Sequence, residues 1–285
     1  MKSIIPETEL VLNADGSVYH LNLLPEDVAD TVFLVGDPDR VNEVSRYFDS
    51  IELKKHKREF VTHTGYIGSK RLTVLSTGIG TDNIDIVLNE LDALIHVNLK
   101  TREIIQNARK LNLIRIGTSG ALQKNIPVDS ILISKAGLGL DNLLWYYKIN
   151  PDKDFRTYGS QLGLDFVWPY QFNCADELES KFPADIRRGL TATCSGFYAP
   201  QGRMLRMPIT VPDFIAKLSS IDFDGQQVTN FEMETAAIFG LSKLFGFNAL
   251  AVNAIVANRI THEFSHNPHQ TIDATIKLVL ESVCK

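Results

Sequence analysis

Short apolar runs recur along the chain. They lie at residues 31–35, 72–76, 113–116, 130–134 and 249–256. Their length and their content of β-branched residues are typical of strands that are buried on both faces. We therefore expect these runs to form the interior of a sheet.

Amphipathic stretches alternate with the apolar runs. Residues 82–97 carry apolar side chains at i, i+3 and i+4 spacing from Ile84 to Ile95, and 269–283 repeat this pattern. A further helix is predicted at 234–245. Alternating strands and helices predict an α/β fold, namely a three-layer αβα sandwich with a central mixed, mostly parallel sheet.

The domain organisation follows from length and from the lack of linkers. The 285 residues include no Pro/Gly/Ser-rich stretch, no block of like charge and no internal repeat, which favours one domain over residues 1–285. Residues 141–173 are rich in aromatics and turn formers. Such a long irregular segment is more often a lid or an interface loop than a second domain.

Charge and cysteine content narrow the setting of the protein. The formal net charge is −5 with both signs mixed along the chain, which argues against a nucleic-acid surface. No apolar run approaches the roughly 18 residues of a membrane span. Three widely spaced cysteines without a C-x-x-C pair suggest reduced thiols, so we expect a cytoplasmic protein that binds neither nucleic acid nor membrane. These cysteines are Cys174, Cys194 and Cys284.

The loop after the first apolar run has the features of an anion site. Gly36 is followed by Asp37, which can cap a helix, and by Pro38, which suits the first helical position. Arg40 then lies in the first turn. Free N–H groups, the helix dipole and a guanidinium together favour a phosphate here, although an ordinary strand-to-helix turn with an exposed arginine has the same sequence.

Other motifs suggest different chemistry. Gly78-Ile79-Gly80 begins like a dinucleotide fingerprint, but Asn83 stands where the third glycine would fall, and no Walker sequence is present. His262-Glu263-x-x-His266 matches a zinc-binding helix, which leaves a zinc metalloprotease as a remote alternative. Pro268 would break that helix soon after the second histidine, so a polar loop is favoured.

The strand-end loops, taken together, resemble the nucleoside phosphorylase superfamily of the hexameric and dimeric type, and within it the uridine-cleaving branch. The resemblance extends over nearly the whole chain and implies the nucleoside phosphorylase fold. The motifs that carry it are 36–40, 57–60, 115–118, 197–203, 231–234 and 258–259.

The resemblance implies three groups of site residues. The phosphate-binding residues would be Gly36, Arg40, Arg58, Arg115 and Thr118. The ribose-binding residues would be His20, Glu232, Met233 and Glu234. The base-binding residues would be Phe197, Gln201, Arg203 and Arg259. Arg40, Arg115, Gln201 and Arg203 would be catalytic.

The chemistry of these residue types agrees with that assignment. A phosphate that attacks a sugar carbon must be held and oriented by guanidinium and backbone N–H groups. A Gln amide can read the N3–H and carbonyl edge of uracil, and Arg203 can stabilise the negative charge on the departing base. Asn258 stands where purine-cleaving relatives carry a proton-donating aspartate, and an amide cannot take that role. Glu232 and Glu234 have an alternative explanation, since acidic side chains at a helix N-terminus offset the helix dipole.

The expected reaction is that of a pentosyltransferase, which converts uridine and phosphate to uracil and ribose 1-phosphate. A purine or broad-specificity nucleoside phosphorylase, a nucleosidase and a non-catalytic nucleoside-binding protein are the alternatives. No organic cofactor is expected, although the resemblance allows K⁺ near Glu59, Ile79 and Asn83. Because His20 and Arg58 would act across an interface, at least a homodimer is expected, with a trimer of dimers as a further option.

Overall fold

The computed structural model describes residues 4–284, which form one large sheet, one small sheet and helices packed on them. The strands are β1 (Thr31–Val35), β2 (Ser50–Lys57), β3 (Phe60–Ile67), β4 (Lys70–Ser76), β5 (Val97–Asn98), β6 (Glu103–Ile104), β7 (Asn112–Ala121), β8 (Ile131–Gly139), β9 (Lys153–Asp154), β10 (Tyr170–Asn173), β11 (Arg187–Thr193), β12 (Val228–Glu232), β13 (Asn248–Asn258) and β14 (Glu263–Phe264). The α-helices are α1 (Pro38–Ser45), α2 (Thr81–His96), α3 (Tyr158–Leu162), α4 (Asp176–Glu179), α5 (Phe214–Ser220), α6 (Thr235–Phe245) and α7 (Pro268–Cys284).

Each predicted strand and each predicted helix is present. All five apolar runs fall in strands, and β7, β8 and β13 extend well beyond the predicted bounds. Helices α2, α6 and α7 begin and end within two residues of the predicted positions. Their apolar faces are buried, and α6 is buried around most of its circumference because α2, β8 and β13 all pack against it. Within residues 4–284, no helix is long and apolar enough to cross a membrane.

The large sheet closes on itself, which corrects the expectation of a simple open sandwich. Strand β13 pairs with β7 on one side and with β8 on the other, and β8, β11, β12 and β7 continue the pairing in that order. These five strands form a closed barrel. The closure is possible because β7 is long: its first half pairs with β1 and its last residues pair with β12.

The sheet is mixed rather than mostly parallel. Strands β1, β4 and β7 run parallel, as do β8, β11 and β12, but the β2–β3 and β3–β4 pairs are antiparallel, and so is β13 against β8. Among the described strands, antiparallel pairings are more numerous. The sequence concealed this because β2 carries mostly polar, exposed side chains and lacks an apolar run.

The 141–173 segment contains regular secondary structure, whereas the sequence predicted an irregular segment. It contains β9, α3 and β10, and β10 pairs antiparallel with β8. Tyr170 on β10 is fully buried and its hydroxyl donates to Asp141 at 2.8 Å. The segment is thereby anchored to the main sheet at its two ends.

Candidate functional site

A cavity of about 700 Å³ lies at the carboxyl ends of β1, β4, β7, β12 and β13. Ligand sites of open α/β sheets form at this edge, and the barrel here leaves the same edge accessible. Most of the predicted site residues line it: Gly36, Arg40, Arg115, Thr118, Phe197, Gln201, Arg203, Glu232, Met233 and Glu234. Glu59, Ile79 and Asn83 line it as well.

One wall of the cavity is the start of α1. Asp37 is the N-cap and accepts a hydrogen bond from Asp39 N at 3.0 Å, with Pro38 in the first turn. Arg40 follows, and its buried Nε has no hydrogen-bond partner among the described residues. Burial, together with the nearby positive charge of Arg115, lowers the pKa of Arg40. Because the positive charges of the two guanidinium groups repel each other, an anion between them is favoured.

Arg115 is the central cation of the site. It projects from β7, is only 6% exposed, and contacts Glu234 through Nη2, which also lies 3.4 Å from Glu232 Oε2. Burial would lower the pKa of Arg115, but the charges of Glu234 and Glu232 outweigh this and raise it. Its Nη1 is buried and has no partner within the described chain.

The two glutamates have different partners. Glu232 accepts hydrogen bonds from Thr193 Oγ1 at 2.8 Å and from the backbone N–H groups of Glu234 and Thr235 at 3.0 Å, so it caps the N-terminus of α6. Burial raises the pKa of Glu232. Glu234 instead accepts from Gly80 N at 2.7 Å and contacts Arg115. The dipole explanation therefore fits Glu232, whereas Glu234 is turned into the cavity.

Another part of the cavity wall is formed by Arg203 together with the flat side-chain groups of Phe197 and Gln201. Its guanidinium lies 3.8 Å from the ring centre of Phe197, and Nη1 donates to Gln201 Oε1 at 2.6 Å. Gln201 is buried at 4% exposure, and its Nε2 is left to donate elsewhere. Burial, and after it the charge of Arg259, lowers the pKa of Arg203. This group can hold a flat ring that offers carbonyl acceptors.

Arg259 lies behind this group rather than in the cavity lining. Its Nη1 donates to the Gln201 carbonyl at 3.2 Å, and its guanidinium lies 5.7 Å from the Phe231 ring centre. The adjacent Asn258 is a structural residue. Its amide donates to the carbonyls of Gln123 and Ile126 at 2.9 and 2.8 Å, and its Oδ1 accepts from two backbone N–H groups of the following turn.

His20 and Arg58 lie together on a surface outside the cavity lining of their own chain. The His20 ring packs edge-on against Tyr19 with centroids 4.9 Å apart, and Arg58 lies 5.8 Å from the same Tyr19 ring. His20 Nδ1 is 2.6 Å from Glu90 Oε1. Arg58 has a positive φ of 56° in the β2–β3 turn, whereas its neighbour Glu59 faces the cavity.

The candidate cation residues surround Gly78 at one edge of the cavity. A Cβ on Gly78 would lie 2.3 Å from Asn83 Nδ2 and 3.1 Å from Glu59 Cγ, so only glycine fits between them. Asn83 Nδ2 is 3.4 Å from the Ile79 carbonyl. The structure thus brings the three predicted residues together.

The zinc-helix alternative is wrong. His262 has a φ of 60° in a turn, and Glu263 and Phe264 form the short strand β14, which pairs with β13. Because the segment is not helical, the two histidines are not placed on one helix face. Among residues 4–284, no group of three or more His, Cys, Asp or Glu side chains could hold a metal ion.

Sequence reasoning missed the apolar part of the lining. Phe231, Val256, Ala257 and Phe264 all face the cavity, and Ser119 adds a hydroxyl. The position of 249–256 before Asn258 could have indicated Val256 and Ala257, since both lie at a strand end. Nothing local marked Phe264, because β14 is too short to give a periodic pattern.

Comparison with known proteins adds independent information. The model of the phosphorylase superfamily matches residues 30–285. A uridine phosphorylase of Thermococcus kodakarensis is 32% identical over 91% of this chain and 82% of its own length, and one of Escherichia coli is 28% identical over 93% and 96%.

Solved structures agree with the sequence relatives. A Trypanosoma brucei nucleoside phosphorylase, described as showing uridine phosphorylase activity, superposes with a TM-score of 0.87 at 30% identity and covers 96% of this chain and 99% of its own. The sequence relatives also include a purine enzyme: a DeoD-type purine nucleoside phosphorylase of Bacillus thuringiensis is 26% identical over 92% of this chain and 97% of its own length. The chain belongs to the phosphorylase superfamily.

Proposed function

We propose that this protein is a uridine phosphorylase, which converts uridine and inorganic phosphate to uracil and ribose 1-phosphate. One observation carries the proposal. A single cavity is lined by Arg40 and Arg115, each with a buried nitrogen that has no hydrogen-bond partner among the described residues, beside a carboxamide and a third arginine that can read a pyrimidine edge. The two uridine phosphorylases and the Trypanosoma brucei enzyme named above support the same reaction.

Phosphate binds between Arg40 and Arg115 in this proposal. Each guanidinium has a buried N–H to donate, and the backbone N–H groups at the start of α1 add to the positive potential. Thr118 and Gly36 also line the cavity. Held in this way, a phosphate oxygen is oriented towards the sugar carbon without a general base.

Ribose lies over Met233 in this proposal, with its hydroxyls directed at Glu234. That carboxylate already contacts Arg115, so the sugar and the phosphate are bound by one connected charge pair. As the glycosidic bond lengthens, positive charge develops at C1′. The buried carboxylates of Glu232 and Glu234 lie on the cavity wall where they stabilise this charge.

The departing uracil carries negative charge, which Arg203 stabilises. Gln201 Nε2 donates to a uracil carbonyl, because Gln201 Oε1 is oriented by Arg203. Phe197 and Phe231 provide apolar faces for the ring. Arg259 acts indirectly, since it donates to the Gln201 backbone and holds the loop in place.

A second subunit completes the site in this proposal. His20 and Arg58 share contact with the Tyr19 ring and therefore form one patch, from which they can reach a neighbouring chain. There His20 would contact the ribose 5′-hydroxyl and Arg58 the phosphate. A homodimer is the minimum assembly, and a trimer of dimers would repeat it.

No organic cofactor takes part in the proposed reaction, with phosphate as the second substrate. K⁺ near Glu59, Ile79 and Asn83 stays a prediction, as does the cytoplasmic location. Comparison of rates in potassium and in tetramethylammonium buffers tests the cation.

The test is a panel of nucleosides, each incubated with and without phosphate, with the free bases identified by chromatography. We expect uracil from uridine only when phosphate is present. Inosine cleavage without uridine cleavage would overturn the assignment of Gln201 and Arg203. Equal turnover without phosphate would indicate a nucleosidase, and binding without any release of base would indicate a non-catalytic protein.

A matched pair of variants locates the phosphate. Arg40→Ala should raise the KM for phosphate at least tenfold, because a charge-assisted hydrogen bond is lost. Arg46→Ala is the control. Arg46 is the C-cap residue of the same helix, but it is largely exposed and pairs with Asp273, so its loss should leave the phosphate KM unchanged.

A further inference from the structure

The interior of the barrel contains a chain of buried polar side chains, one from each barrel strand. They are Asn253 on β13, Ser134 on β8, Thr191 on β11, Asn230 on β12 and Ser119 on β7. Ser119 is 5% exposed and the other four are fully buried. Such a network is costly to bury unless its members are paired, so its position in the fold calls for a reason.

In this network of side chains, each residue donates a hydrogen bond to the next one. Asn253 Nδ2 donates to Ser134 Oγ at 2.9 Å, and Ser134 and Thr191 hydroxyls are 2.6 Å apart. Thr191 Oγ1 donates to Asn230 Oδ1 at 2.9 Å, and Asn230 Nδ2 donates to Ser119 Oγ at 2.9 Å. With the Asn230 amide oriented as in the structure, Thr191 donates its proton to Asn230 and therefore accepts from Ser134, which accepts from Asn253.

This directionality agrees with the orientation of the Asn253 amide. Nδ2 faces Ser134, so Oδ1 faces the other way. In the described structure Oδ1 is fully buried and has no hydrogen-bond partner. An unpaired buried carbonyl oxygen is unfavourable, and this one is a candidate acceptor for a nearby donor.

A donor in the same condition lies beside it. A Cβ built on Gly117 would be 1.6 Å from Arg115 Nη1 and 3.2 Å from Asn253 Oδ1, so both atoms border the space that the missing side chain leaves. Arg115 Nη1 is likewise unpartnered among residues 4–284. An unpaired donor and an unpaired acceptor thus border the same space next to the cavity.

We propose that Asn253 is a positioning residue for Arg115. When phosphate is bound, Asn253 Oδ1 accepts one of the two Nη1 hydrogens, which directs the other at the phosphate, while Glu234 holds Nη2. Asn253 touches no substrate, and the barrel network keeps its amide from rotating. This inference rests on the proposed function, in which Arg115 binds phosphate.

Asn253→Leu tests it, since leucine has a similar shape but cannot accept a hydrogen bond. We expect the KM for phosphate to rise about tenfold while the KM for uridine changes less than twofold. The increase in Tm that inorganic phosphate produces should also shrink. Thr73→Val is the matched control, because it removes a buried hydroxyl that lies outside the cavity lining and accepts a hydrogen bond from Ala29 N. It should lower Tm, but it should not raise the KM for phosphate relative to the KM for uridine.

Ser134→Ala provides a second route if Asn253→Leu does not fold. It removes the acceptor that orients the Asn253 amide, so we expect a smaller rise in the phosphate KM in the same direction. Folded variants with wild-type phosphate KM and wild-type phosphate-induced Tm shift would overturn the inference. If the wild-type protein did not cleave uridine, the proposed function would be refuted instead. The Tm shift produced by phosphate alone would still test whether Asn253 supports phosphate binding.

Discussion

Replacement of Arg115 by methionine tests the electrostatic centre of the site. The guanidinium is 6% exposed and neutralises Glu232 and Glu234, which are themselves 4% and 3% exposed. In Arg115→Met both carboxylates stay buried without a cationic partner. Removal of one partner from a buried ion pair costs about 3–5 kcal/mol. The lower end applies here, because Glu232 keeps three hydrogen-bond donors and Glu234 keeps Gly80 N.

The loss should depend on pH, with a definite sign. Burial raises the pKa of Glu232 and the charge of Arg115 opposes that rise, so without Arg115 the pKa of Glu232 in the folded state lies further above its value in the unfolded chain. The folded variant then binds protons that the unfolded variant does not, so its stability falls as pH rises, by up to about 1.4 kcal/mol per pH unit for each proton. Urea denaturation of both proteins should therefore show a difference of about 3 kcal/mol at pH 8 that narrows at pH 5.5.

The double variant Arg115→Met/Glu234→Gln is the control. The glutamine keeps the shape of the side chain and an acceptor for Gly80 N, but it carries no charge. It should recover much of the stability at pH 8 while phosphorolysis stays lost. If the stability difference were the same at both pH values, and glutamine gave no recovery, the described charge coupling would be refuted.

Three further predictions concern single side chains. Arg203→Ala should lower kcat/KM for uridine by about 10²–10³-fold because the charge on uracil loses its donor, whereas Arg206→Ala, exposed in the same loop, should not. Gly117→Ala should raise the phosphate KM, because the added Cβ would lie 1.6 Å from Arg115 Nη1 and displace it; steady-state kinetics with varied phosphate measure this, and an unchanged KM would contradict it. Burial raises the pKa of Asp141 to about 6, so its charge is a stability cost that appears as pH rises through that value. Asp141→Asn should therefore stabilise the protein at pH 8 by about 1–2 kcal/mol in urea denaturation and give no gain at pH 4.

Much of the fold could be predicted because local patterns decide it. The apolar run 249–256 and the helix repeat of 269–283 each carry enough periodicity to fix their type, and β13 and α7 formed there. The barrel could not be predicted, since closure depends on β7 pairing with β1 at one end and β12 at the other. Pairing partners of a long strand are set by the whole sheet and not by its own sequence.

The site was predictable where strand ends determine it. Arg40 follows the buried run 31–35 and Arg115 lies within the run 113–116. The two runs form the adjacent parallel strands β1 and β7, in which Leu34 pairs with Arg115. Phe264 could not be found because it lies on β14, a strand of two residues that is too short to give a periodic pattern. The sequence also did not show that Glu232 caps α6 while Glu234 points into the cavity, because this depends on which carboxylate accepts hydrogen bonds from the first turn of α6.

Phosphorus NMR of the reaction mixture tests the central claim most directly. With uridine and inorganic phosphate present, the account predicts that the phosphate resonance declines while one sugar phosphate ester grows, in equal amount to the uracil released. Release of uracil with the phosphate resonance unchanged would contradict it, since water would then be the attacking group.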